Sequence, residues 1–250
     1  MGETRRRSRL RAFAPLLLQP IGVVVAGVVL LLWLSGSDLS ATELSTLEPS
    51  VLTRYVGEHL LLTLVSAIIV LLISIPVGIL LSRRAFRRAQ PTVLAIANFG
   101  QAAPAIGLIV LLAMWLGFGF WAAIVALVVY AMLPVISNTV VGLAGVDPRL
   151  VEGGRGMGMS AAAVLFRVEL PLAVPVMLSG IRTALVLLVG SATLATFVDG
   201  GGLGILITTG VSLALNTVLI TGSVIVALLA LSIDWLGRVV EYVATPKGLS

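Results

Sequence analysis

The chain has 250 residues, 59% of them hydrophobic and only 11% charged, with a net charge of +5. A soluble domain is about 45–50% apolar and about 25% charged, and one of this length cannot hide so much apolar surface; with mean hydropathy at +1.15, a soluble enzyme is excluded and an integral membrane protein is expected. Cysteine is absent and His59 is the only histidine, which removes disulfides, thiolate chemistry and a multi-histidine metal site.

Six apolar runs are long enough, at about 20 residues each, to cross roughly 30 Å of hydrocarbon. They lie at about Leu16–Leu34, Gly57–Leu81, Thr92–Leu116, Phe120–Gly142, Pro171–Ala195 and Leu215–Leu236, which predicts an all-α polytopic membrane protein. The first follows Arg5, Arg6, Arg7, Arg9 and Arg11. Its length and the weak cleavage signal at Ser35-Gly36-Ser37 favour a retained span over a signal peptide. Pro76, Pro104 and Pro134 fall inside spans and predict kinks, with Pro104 and Pro134 as candidates to flank a path through the bundle.

The basic excess reads as loop charge that orients helices in a bilayer, with no nucleic-acid partner implied. With the amino terminus in the cytoplasm and the spans alternating, the inside segments hold Arg5, Arg6, Arg7, Arg9, Arg11, Arg83, Arg84, Arg87, Arg88, Arg149, Arg155, Arg167, Arg238 and Lys247. Arg54 alone lies outside, and Arg182 lies within a span. Both termini are therefore expected in the cytoplasm of a multi-pass cell-membrane protein. The outside loop at about 35–56 carries Asp38, Glu43 and Glu48 instead.

The inside segment from about 143 to 170 is the most informative. Asp147 suits a helix N-cap and Pro148 the first helical position. Glu152 falls early in that helix, where the dipole favours a negative charge. Gly156 and Gly158 offer a stop, and Ser160 can cap a second helix running through Phe166. Two short helices at a sharp angle are expected on the cytoplasmic face.

Glu152-Gly153-Gly154, then three residues, Gly158, nine residues and Val168-Glu169-Leu170-Pro171 resembles the EAA signature of permease subunits of binding-protein-dependent ABC importers. Two glycines stand where that signature usually has alanines, at a cost of about 1 kcal/mol each inside a helix. The segments Asn98-Phe99-Gly100-Gln101, 131–139, Val146-Asp147-Pro148, 155–159, 180–184, 192–197 and 200–204 are similar to the osmoprotectant branch, the importers of glycine betaine, carnitine and choline. The likeness covers roughly residues 57–212. It implies a type I importer permease (MetI-like) fold. Its parts would be an amino-terminal basic segment, span and outer loop at 1–56, a permease core at 57–242 with a coupling loop at about 146–170, and a tail at 243–250.

The resemblance further implies that the loop docks on a separate ATPase. Glu152 is then the anchor and Gly158 the hinge, with Gly153, Gly154, Arg155, Leu170 and Pro171 completing the coupling motif and Arg149 a further charged contact. Implied partners are ABC ATPase subunits, a second permease copy or paralogue, and an extracytoplasmic substrate-binding protein. ATP and Mg²⁺ belong to the ATPase, and this chain binds no cofactor. The residues agree that it is not itself an enzyme: a P-loop needs Gly-Lys-Ser/Thr, and the only lysine, Lys247, is followed by Gly248. Gly156-Met157-Gly158-Met159-Ser160-Ala161 imitates a dinucleotide fingerprint without the strand that motif needs. An importer for another small solute, such as an amino acid, and a non-transport structural subunit stay open as alternatives.

Several residues remain to be placed. Arg182 lies eleven residues past Pro171, about 16 Å into its span. A charge at that depth costs on the order of 2.5–3.5 kcal/mol, so Arg182 either lines the path or pairs inside the bundle. Asp199 with the glycine-rich stretch through Gly202 and Gly204 reads as a flexible outer segment, a gate or docking surface to which Phe197 belongs, or else a plain loop. Glu58 and His59 read as an interfacial polar pair, and Asp234 and Arg238 as an i,i+4 pair. Trp115, Phe118, Phe120 and Trp121 form either an interfacial belt or a box for a quaternary ammonium.

Overall fold

The computed structural model describes residues 2–244, with side chains described from Leu17 onward. The side chains of Arg5 to Arg11 and the tail bearing Lys247 therefore lie outside the described residues. Every regular element among those residues is helical: α1 (Gly2–Ser35), α2 (Ala41–Thr46), α3 (Pro49–Ser82), α4 (Gln90–Ala102), α5 (Ala105–Leu116), α6 (Phe120–Ala144), α7 (Pro148–Gly156), α8 (Ala161–Val164), α9 (Leu170–Ala192), α10 (Gly204–Ser212) and α11 (Asn216–Ala244).

Five helical rods are long and apolar enough to cross a bilayer: Leu17–Ser35, Pro49–Ser82, Phe120–Ala144, Ala161–Val198 and Asn216–Ala244. The third expected crossing, Thr92–Leu116, is not a single kinked helix. It is α4 and α5, bent by 100° at their junction. Pro104 has no N–H to continue the α4 ladder, and it pushes Ala103 out of the helical region. Ala103 sits at ψ 143°, and Pro104 becomes the N-cap of α5. Pro76 and Pro134 stay inside unbroken helices.

The second short cytoplasmic helix is also corrected. Ser160 does cap α8, accepting from the Ala163 N–H at 3.2 Å. But α8 does not end: it runs through a π-helical turn, Leu165–Glu169, into α9. The fifth crossing is thus the upper part of a 38-residue rod, Ala161–Val198, finishing in a 3₁₀ turn at Thr193–Val198.

At the centre stands α6, packed between α3 and α9. Its Ala123, Ala126, Leu127, Ala131 and Val135 are buried with Leu62 and Val70 of α3 and Ala184 and Leu188 of α9. Lipid is as apolar as these side chains, so helices associate by close packing and polar contacts, and small residues gather where they cross. At Gly180 of α9 a Cβ would lie 2.5 Å from the Asn138 Cβ and 2.6 Å from the Pro134 carbonyl oxygen. In contrast α1 lies at the edge along α11, with Leu17, Leu18, Val24 and Leu31 exposed.

The stretch expected to be a flexible outer segment is closely packed. Gly202 adopts φ +88° and Asp199 φ 57°, and the Gly202 N–H donates to the Glu58 carboxylate at 3.0 Å. Leu203 is fully buried. A Cβ on Gly204 would fall 1.9 Å from the Thr193 carbonyl oxygen. Because that oxygen is backbone, Gly204→Ala is expected to cost about 3 kcal/mol, at the upper end of overpacking, seen as a lowered melting temperature in detergent. An unchanged melting point would mean the turn opens freely.

Candidate functional site

Two faces result. One carries α7, the α3–α4 turn with Arg83, Arg84, Arg87 and Arg88, and the start of the α8–α9 rod; we call it the basic face. The opposite face carries α2, the 3₁₀ turn and α10.

Local sequence builds α7 as foreseen. The Asp147 carboxylate accepts from the Arg149 N–H at 2.8 Å, and Pro148 occupies the first turn. At the other end Met159 N–H donates to the Gly154 carbonyl (3.2 Å) and Gly158 N–H to the Arg155 carbonyl (2.9 Å). This is a Schellman closure with Gly158 at φ +82°, the left-handed position glycine fills without penalty. Both helix ends are therefore fixed, and the chain turns sharply toward Ser160.

The two faces of α7 differ. Val151 joins the cluster of Leu143, Val146, Ala173 and Met177. Gly154 is buried, its hydrogen side 3.3 Å from the Met159 sulfur, 3.5 Å from Val164 and 3.7 Å from Val168 as measured to a Cβ. Arg149, Leu150, Glu152, Gly153, Arg155 and Met157 point outward and are exposed. Glu152 makes no ion pair with another described residue. The helix is regular despite Gly153 and Gly154 in its interior. Nothing lies within 4 Å of a Cβ at Gly153, so Gly153→Ala is expected to stabilise α7 by up to about 1 kcal/mol. That is a rise of about 2–4 °C in melting temperature for a chain of this size; a fall would show that the glycine is structurally required.

Leu170 packs against the same cluster as Val151, and Pro171 is exposed at the first turn of α9. The residue before Leu170 makes an ion pair that sequence reasoning missed: Arg83 Nη2 donates to Glu169 Oε2. Glu169 is 7% exposed, whereas Arg84, Arg87, Arg88 and Arg167 face outward. An acid that ends up beside the last apolar residue of a motif, facing an arginine at a span's end, was the available signal.

Arg182 pairs within the bundle. Its Nη1 lies 3.1 Å from Glu241 and its Nε 3.7 Å from Asp234. Helical side chains lean toward the amino-terminal end, so Arg182 leans toward the basic face. Asp234 also accepts from Arg238 Nε at 2.9 Å and from Gln19 Nε2 at 3.0 Å, so the expected Asp234–Arg238 pair is one arm of a larger hub. Gly237 lets Arg182 pass, its Cβ position 2.8 Å from the Arg182 Cγ.

On the opposite face Phe197 and Asp199 are exposed. Glu58 and His59 do not pair. Glu58 faces Arg54 (3.8 Å) and Gly202, while His59 is fully buried with Nε2 donating to the Val189 carbonyl at 3.0 Å. Arg54 lies over the Tyr55 ring at 4.9 Å. The aromatic group forms no cage: Trp115, Phe118 and Trp121 splay outward, Trp115 at 88% exposure. Pro104 is exposed and Pro134 buried. Among the described residues no group of three potential metal ligands exists.

Comparison with known proteins gives a consistent set of likenesses. Residues 74–242 match the family model described as binding-protein-dependent transport system inner membrane component. The chain is 39% identical to the glycine betaine/carnitine/choline transport system permease protein OpuCB of Bacillus subtilis, over 77% of this chain and 88% of that relative. It is 40% identical to the choline transport system permease protein OpuBB of the same organism, again over 77% and 88%. With the osmoprotectant import permease protein OsmW of Salmonella typhimurium the identity is 36%, over 77% and 91%. Among solved structures, an inward-facing MetNI methionine ABC transporter chain superposes with a TM-score of 0.71 at 28% identity, covering 83% of this chain and all of that one.

Proposed function

The chain belongs to the family of binding-protein-dependent transport system inner membrane components, and from that premise we propose that it is the membrane-spanning permease of an ATP-driven importer of quaternary-amine osmoprotectants: glycine betaine, carnitine or choline. The observation that carries the solute class is the 39–40% identity over most of both chains to permeases named for those solutes. The methionine transporter, at 28–29% identity, shares the fold at a greater distance, so a quaternary amine is the better reading than an amino acid.

The basic face is assigned to the cytoplasm, since arginine-rich short loops stay on that side. There α7 is the coupling helix. Its outward residues, Arg149, Leu150, Glu152, Arg155 and Met157, are offered to a separate ATPase subunit, which holds the ATP and Mg²⁺. Its inward residues, Val151 and Gly154, tie it to the bundle. Movement of α7 with the closing ATPase then tilts the α8–α9 rod, and the bundle alternates between inward-open and outward-open forms. Phe197, Asp199 and Gly202, at the outer face, are assigned to the rim where an extracytoplasmic binding protein delivers solute. A second permease copy or paralogue completes the path. The charge of Arg182 is balanced by Asp234 and Glu241, so we give it a structural role and not a solute contact.

The test is reconstitution of the permease with its ATPase in proteoliposomes. Binding protein loaded with glycine betaine, carnitine or choline is expected to stimulate both ATP hydrolysis and uptake of that solute. No stimulation by any of the three overturns the solute assignment, and stimulation by methionine in their place moves the chain to the amino-acid importers.

A further inference from the structure

Between α7 and the rest of the bundle lies a short segment, residues 164–169, loaded from two sides. On one side α7 bears on it through Gly154, which packs against Val164 and Val168. On the other, Arg83 reaches across from the end of α3 and ion-pairs with Glu169, 86 residues away in sequence. The segment is also where the helix changes form, with Leu165–Glu169 wound as a π turn. Such turns are rare and gather at functional sites. One extra residue in a helical rod rotates everything after it by about 100°. Here it faces Glu169 to Arg83 while Leu170 still enters the apolar cluster under Val151.

The pair is built for position. Arg83 is the C-cap of α3, in extended conformation (ψ 143°). Its side chain is about two-thirds buried where it meets Glu169. Glu169 is 7% exposed, and a buried carboxylate that loses its partner is strongly disfavoured. Glu169 can therefore not slide along the α3 end as an exposed ion pair could.

We propose that Arg83 and Glu169 are positioning residues for energy coupling: they clamp the π turn to α3, so that movement of α7 carries α3 and α9 together. Without the clamp the π turn absorbs the motion as local bending. This rests on the reading of α7 as the coupling helix.

The experiment measures ATP hydrolysed per solute imported in proteoliposomes holding the permease, its ATPase and loaded binding protein. Glu169→Gln keeps the shape and removes the charge. Stimulated hydrolysis is expected to stay within about twofold of wild type while uptake falls about tenfold, so the ratio rises several-fold. Arg83→Lys, which keeps the charge but not the guanidinium fork, is expected to raise the ratio less. The exchange Arg83→Glu with Glu169→Arg is expected to recover at least half of the lost uptake per folded complex. If Glu169→Gln lowers hydrolysis and uptake in the same proportion, or leaves the ratio unchanged, the pair is only a structural clamp and the proposal falls. Should Glu169→Gln fail to fold, as judged by melting and size exclusion, the ratio for Arg83→Lys decides: unchanged, it overturns the proposal. A wild-type complex that loaded binding protein does not stimulate defeats the coupling reading itself. A stimulated wild type with an unchanged variant ratio defeats the positioning role alone.

Discussion

Glu152→Arg is expected to abolish solute uptake and leave a folded permease in the membrane. Glu152 is exposed on the outward face of α7 and pairs with no described residue, so reversing its charge removes no internal contact. The helix around it is held at both ends, by the Asp147 cap and the Gly158 closure, and survives the change. Facing an ATPase, the effect is different. A charged partner that meets a like charge in a docked surface costs several kcal/mol, and each 1.4 kcal/mol is tenfold in affinity. Uptake should therefore fall at least a hundredfold, with loss of the ATPase on co-purification. Glu152→Gln, which keeps the shape, should fall much less. Normal uptake by Glu152→Arg would mean that α7 is not the docking helix.

Asp234→Ala is expected to carry a large cost to stability. This carboxylate holds together three elements: Gln19 from α1 (3.0 Å), Arg182 from α9 (3.7 Å) and Arg238 one turn on (2.9 Å). Its removal leaves two guanidinium groups in the bundle, with Glu241 the remaining acid near Arg182. Removing one partner of a buried ion pair costs about 3–5 kcal/mol. Asp234 is 18% exposed at its side chain, which places the change at the lower end, about 3 kcal/mol. That corresponds to a drop of about 6–12 °C in melting temperature. The adjoining groove of roughly 470 Å³, lined almost wholly by apolar groups from α3, α9 and α11, offers no replacement acid. Asp234→Asn keeps an acceptor for Gln19 and should lose about half as much. A melting point within 2 °C of wild type for Asp234→Ala would remove the hub from the account of the fold.

These two predictions draw on different kinds of information. The helix that carries Glu152 was legible in the sequence because its setting is local: an N-cap, a proline and a glycine stop. Asp234 was read only as half of an i,i+4 pair with Arg238. Its contacts to Gln19 and Arg182 lie 215 and 52 positions away, and no local pattern distinguishes them from other polar residues in apolar runs. Arg182 shows the same limit. Its depth announced that it must be compensated, because a bare charge there is too costly, yet depth alone did not choose between solute and Glu241.

What the sequence decided by itself is therefore what each segment must do alone. Hydropathy required a membrane, run lengths marked the candidate crossings, and capping chemistry placed both ends of α7. What only the tertiary structure decided is how segments meet. The 100° break at Ala103-Pro104, the fusion of α8 to α9 through a π turn, the packed glycine turn against Glu58 and the Arg83–Glu169 clamp all depend on neighbours far along the chain. The physical reason is that a bilayer demands satisfaction of every polar group inside it but is indifferent to which partner supplies it, and that choice is made by packing.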